Sequence, residues 1–130
     1  MAARPTVTKV DTTQAGLIAY GTLAVSGNYV AHGDPVDFSG MAASNPGINC
    51  DLIKTQQPPD VVDIYEKPAA GVSASGYVYI FAPGTTTANG VMQVFQSAGS
   101  AAPQAELGAG AYPGGVPATL YFQAFFPSLI

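Results

Sequence analysis

Apolar residues along this chain alternate with polar ones in short runs and are rarely spaced for a helix. No stretch of ten or more residues sustains a 3.6-residue period without a Gly or Pro. Period-two runs rich in Val, Ile, Tyr, Phe and Thr recur between Gly/Pro/Asn/Asp clusters, the signature of half-buried strands. The pattern predicts a short strand at Thr6–Val10 and a longer one at Leu17–Val25. In the second, Leu17, Ala19, Gly21, Leu23 and Val25 share a face opposite Ile18, Tyr20, Thr22 and Ala24. A Ser26-Gly27 break leads to Asn28–Ala31, and a Gly33-Asp34-Pro35 turn leads to Val36–Phe38. Further strands are predicted at Val61–Glu66, Tyr77–Phe81, Val91–Gln96 and Ala118–Phe126. The last carries Leu120, Phe122, Ala124 and Phe126 opposite Thr119, Tyr121, Gln123 and Phe125.

Two long segments, Ser39–Asp60 and Ser97–Pro117, are rich in Gly, Pro and Ala and show no period. Unstructured loops of about twenty residues are uncommon in compact domains. A short strand at Ala105–Leu107 and a helical turn at Asn49–Lys54 are therefore expected within them. Many short strands with no strand–helix alternation define an all-β fold: one domain over residues 1–130, an antiparallel β-sandwich or jelly-roll-like domain with long loops.

Composition narrows the function classes. The 130 residues include four Lys/Arg and eight Asp/Glu, 9 % charged, against roughly 25 % in an average soluble domain. Fifteen glycines and eleven prolines supply the turns. Arg4, Lys9, Lys54 and Lys67 are too few and too scattered to grip a phosphate backbone, so nucleic acid is not an expected partner. No continuous apolar run approaches a membrane span, and no apolar targeting segment follows Met1, so a chain made in the cytosol is expected. The single Cys50 rules out an intramolecular disulfide and a multi-cysteine zinc site. The final strand is apolar on both faces; it is either central in a sandwich or covered by another subunit.

Candidate chemistry is sparse. Asp34 and Asp37 flank Pro35, where the preferred reading is turn shaping, with a calcium site as the weaker alternative because the D-x-D-x-D-G order is absent. Asp60, Asp63 and Glu66 lie three apart on a predicted strand, so their side chains do not converge as paired acid–base carboxylates must. His32 lacks a nucleophile elbow and is read as a turn residue. Cys50 has only His32 as a partner base and is read as a small apolar residue. Gly108-Ala109-Gly110 and Gly114-Gly115 lack the setting of a phosphate loop and are read as turns. No enzymatic activity, cofactor or metal is expected.

The stretch Gly21-Thr22-Leu23-Ala24-Val25-Ser26-Gly27-Asn28-Tyr29-Val30-Ala31-His32-Gly33-Asp34-Pro35-Val36-Asp37-Phe38-Ser39 resembles small structural proteins of tailed bacteriophages. These carry the pattern G-x-L-x-x-S-G-x-Y-x-x-G-G-D-x-L-D-L-S near the N-terminus. Here His32 stands at the first Gly of the Gly-Gly pair, and Val36 and Phe38 stand at the leucines. Gly76–Tyr79, the hairpin to Val91–Phe95 and the terminal Phe122–Phe125 run fit the same resemblance. It implies a capsid cement or decoration protein on the outer face of a phage head, located in the virion and bound to the major capsid protein. It also implies a dimer or trimer bridging capsomers. Met1–Gly16 as an extended arm and the two long loops are the expected reaching segments. Tyr112, Tyr121, Phe125, Phe126 and Leu129 are the candidate interface residues. The alternative is a tail- or fibre-associated or carbohydrate-binding β-sandwich, which would need exposed aromatics such as Tyr112 or Tyr79.

Overall fold

A computed structural model describes residues 3–13, 16–38, 42–43, 59, 61–66, 77–96, 105–113 and 116–127. Its strands are β1 (Arg4–Thr13), β2 (Gly16–Ala24), β3 (Asn28–Tyr29), β4 (Asp34–Val36), β5 (Ala42–Ala43) and β6 (Val61–Tyr65). Then follow β7 (Tyr77–Ala82), β8 (Gly90–Gln96), β9 (Ala105–Glu106), β10 (Gly110–Ala111) and β11 (Thr119–Pro127). The chain is all-β and sandwich-like, as the alternation predicts. Among the described residues no helix is long and apolar enough to cross a membrane.

The large sheet has the order β5-β1-β2-β11-β6, and a smaller one has β4-β8-β7 with β9 also on β8. Strand pairs are antiparallel except β1–β5 and the isolated bridge between Ala3 and Val36. That bridge, with the Ala3 N–H donating to the Pro35 carbonyl at 2.8 Å, ties the start of the chain to the small sheet. At the other side β6 lies beside β7, and the Tyr79 hydroxyl donates to Glu66 Oε2 at 2.8 Å. The two layers are thus linked along both edges.

The expected N-terminal arm is a strand. Arg4 to Thr13 run in register with Ala24 to Gly16 of β2, broken by a bulge between Val7 and Lys9. The polar Thr12 and Thr13 suggested a free arm, but backbone pairing asks nothing of side-chain polarity. The bulge leaves Thr8 outside the ladder, and its hydroxyl donates to the Tyr20 carbonyl at 3.1 Å.

The core lies between the layers. Val7, Leu17, Ala19, Leu23, Val62, Ile64, Leu120, Phe122, Ala124 and Phe126 come from the large sheet, and Val36, Tyr79, Met92 and Val94 from the small one. Phe38 is the hub: its ring meets Phe81, Phe122 and Phe126 edge-to-face at 5.5–5.9 Å between centroids. Such contacts add about 0.5–1.5 kcal/mol per pair beyond burial. β11 lies inside the sheet, between β2 and β6, so both its edges are paired, while Tyr121 and Phe125 on its outer face stay partly exposed.

Candidate functional site: a buried tyrosine–carboxylate network and an aromatic sheet face

Backbone geometry builds the first site. Gly27, His32 and Gly33 have φ of 100°, 72° and 138°. These residues fold the segment between β2 and β4 back on itself, so Ser26, Tyr29 and Asp34 face one another. At Gly33 a Cβ would lie 2.6 Å from the Val91 Cβ, so both its conformation and its surroundings call for glycine. The segment read as the loop Ser97–Pro117 supplies the rest. β9 pairs with Phe95 and Gln96 of β8 and delivers Glu106. β10 pairs with β3 and sets Tyr112 beside it.

Tyr29 is buried. Its hydroxyl donates to Glu106 Oε2 at 2.5 Å and accepts the Val94 N–H at 3.1 Å. Burial, reinforced by the Glu106 carboxylate, pushes this phenol up to about 12 from its ordinary 10.0. Glu106 Oε2 also accepts the His32 N–H at 2.9 Å. Asp34 is completely enclosed. Its Oδ2 accepts the Tyr112 hydroxyl at 2.6 Å and lies 2.8 Å from Ser26 Oγ. Ser26 Oγ is also 2.7 Å from the Asn28 carbonyl, so its one proton is shared between two acceptors. Asp34 Oδ1 has no hydrogen-bond partner. Burial first, then Asp34, pushes the Tyr112 phenol far above its ordinary range. The Tyr29 and Tyr112 rings meet edge-to-face at 5.8 Å.

In this network the tyrosine hydroxyls are committed to carboxylates inside the fold, which cross-links the sheets rather than presenting reactive groups. His32 sits at the turn with a largely exposed side chain, its Nδ1 3.9 Å from Glu106 Oε1. Asp34, read as shaping a turn, is buried and ties Ser26 across the Gly27–Gly33 segment, because the residue after Gly33 enters the inner face. Asp63 is exposed on β6, and Glu66 accepts Tyr79. Among the described residues no three His, Cys, Asp or Glu side chains group as metal ligands. Cys50, Asp60, Leu129 and the expected turn at Asn49–Lys54 lie outside the described residues.

The candidate interface residues divide. Phe126 is 0 % exposed and belongs to the core, so it offers no ring face to a partner. Tyr112 is half-buried with its hydroxyl turned inward. Tyr121 and Phe125 lie on the outer face of the large sheet, partly exposed. Registers on that face define three rows across β1, β2, β11 and β6: Thr6–Thr22–Tyr121–Tyr65, Lys9–Tyr20–Gln123–Asp63 and Asp11–Ile18–Phe125–Val61. Tyr65 and Tyr121 stack at 6.0 Å with an interplanar angle of 22°, and the Lys9 ammonium sits 5.4 Å from the Tyr20 ring centroid. Val61 and Tyr65 are 55 % and 45 % exposed. Sequence reasoning missed Tyr65 as a surface residue and Glu106 as a partner of Tyr29. The period-two pattern of Val61–Tyr65 held the first signal; nothing local held the second. No protein-family model, curated protein or solved structure matches this chain.

Proposed function

We propose that this chain is a non-enzymatic virion structural protein, a capsid cement or decoration protein that binds the outer surface of a phage head and bridges capsomers through its loops. The observation that carries the reading is apolar exposure on both broad faces. Val61 and Tyr65 stand out from the large sheet, Val78 and Ile80 from the small one. The outer side of β7 and β8 presents Val78, Ile80, Val91 and Phe95 around Gln93, without a charge. Exposed apolar area of this kind marks interaction surfaces. A low overall charge fits a surface that a lattice covers.

The phage-like stretch adds support of a structural sort. Ser26, Tyr29 and Asp34 of that pattern are all members of the buried network. Position 32, where the pattern has glycine, has a φ of 72°, which glycine adopts without strain. Of the two tyrosines that the carbohydrate-binding alternative would expose, Tyr79 is buried and Tyr112 is half-buried. Co-sedimentation with purified heads tests the proposal. The chain is expected in the head fraction of particles whose genome encodes it, and its absence from those particles would overturn the reading.

A further inference from the structure

We propose that the outer face of the large sheet is a homodimer interface, occupied by a second copy laid face to face. The two-fold axis runs between β2 and β11, with the strands of each copy inclined to it by about 15°, half the usual angle between aligned sheets. Under this operation each row of the face meets itself reversed, β1 over β6 and β2 over β11. The middle row then sets Lys9 of each copy over Asp63 of the other. These two lie at opposite rims of one sheet, three strand spacings or about 14 Å apart, so they do not neutralise each other within a copy. Among the described residues the ion pair of Lys9 is with half-exposed Asp11 of its own strand, at 3.5 Å.

The other rows match under the same axis at every position but the Asp11–Val61 rim. The stacked Tyr65 and Tyr121 fall over Thr6 and Thr22, large side chains over small. Phe125 falls over Ile18, apolar over apolar. An isologous contact requires self-complementarity; this operation meets it for charge at Lys9 and Asp63 and for size and apolarity near the axis, and leaves Asp11, ion-paired to Lys9, over Val61 at the rim. The extent suffices: three strands of about 30 Å and the shorter β6 of about 17 Å, at about 4.8 Å spacing, give on the order of 500 Å² per copy. Two copies together therefore reach the roughly 1,000 Å² that a specific interface needs. Aligned sheets pack about 30° apart, so contacts near the axis are closest and the rim pair relies on the reach of Lys9.

The inference does not rest on the capsid reading, because its test uses the isolated full chain. Sedimentation equilibrium is expected to give a monomer–dimer equilibrium. Lys9→Glu and Asp63→Lys should each weaken it about tenfold, since two symmetric pairs are reversed at once. The combined Lys9→Glu, Asp63→Lys variant should return to within about threefold of the starting Kd. Both sites are exposed, and circular dichroism checks that each variant is folded. A monomer at all concentrations overturns the proposal, as does a dimer indifferent to the single reversals or one that the double reversal fails to rescue. A monomer whose tyrosine face is protected only on assembled heads also overturns it, and gives the face to the capsid.

Discussion

The Tyr29 hydroxyl takes the place of a strand residue. On one edge of β8, β4 pairs with Gly90 to Met92 and β9 with Phe95 and Gln96. The Val94 N–H falls in the gap, and the phenol accepts it while donating to Glu106. Tyr29→Phe keeps the ring and removes both bonds. It should cost about 1–3 kcal/mol, because a buried N–H and a carboxylate each lose a partner; urea unfolding measures it. The same phenol sets an alkaline limit. Its folded value lies above its unfolded value, so its neutral form stabilises the fold fully below pH 10 and progressively less as pH rises towards 12. Tyr112 acts in the same direction. The melting temperature should therefore fall above pH 10, with tyrosinate absorbance from these two residues rising only as the fold is lost. A fall in melting temperature only below neutral pH would contradict this. In the sequence Tyr29 and Asp34 lie in one short Gly-punctuated segment, but Glu106 does not, because it reaches Tyr29 across 77 residues. Alternation reports which face a residue occupies, not which distant carboxylate waits there.

Among the elements, long strands were the most legible. Leu17, Ala19, Gly21 and Leu23 share the buried face of β2, and Leu120, Phe122, Ala124 and Phe126 that of β11, as period-two alternation requires. That division has a measurable consequence in two neighbouring rings. Phe126→Ala should destabilise the isolated chain by about 3–5 kcal/mol, since it empties space beside Phe38. Phe125→Ala, on the opposite face, should cost about 1 kcal/mol or less in dilute monomer. Equal losses in denaturant melts would mean that the two faces are wrongly assigned. The two-residue strands β5 and β10 were not legible, because they are held by a neighbour's backbone rather than by a pattern of their own. The length of β1 was hidden for the same reason. Its threonines pair through Gly16 and Leu17 of β2, although their side chains carry no apolar period.

At the scale of the whole molecule, the two layers are fastened at one edge through Ala3 and Pro35, and at the other through Tyr79 and Glu66. The large sheet pairs two strands that lie far apart in the chain, β2 at its centre and β11. β2 is flanked by β1, its hairpin partner, and by β11, the last strand described. Removing residues 119–130 would open β2 and β6 together and take four large buried side chains or methyl groups from the core. Such a truncation should not fold, and should show no cooperative thermal transition. The inner place of β11 also sets an order in time. During synthesis the β1–β2 hairpin leaves the ribosome with one edge unpaired and waits for almost a hundred residues before its neighbour exists. Until then Leu17, Ala19 and Leu23 have no Phe122 or Phe126 beside them. The nascent chain passes through an open-edged stage, and crowding of polysomes or a slow stretch of translation between β2 and β11 would lengthen it.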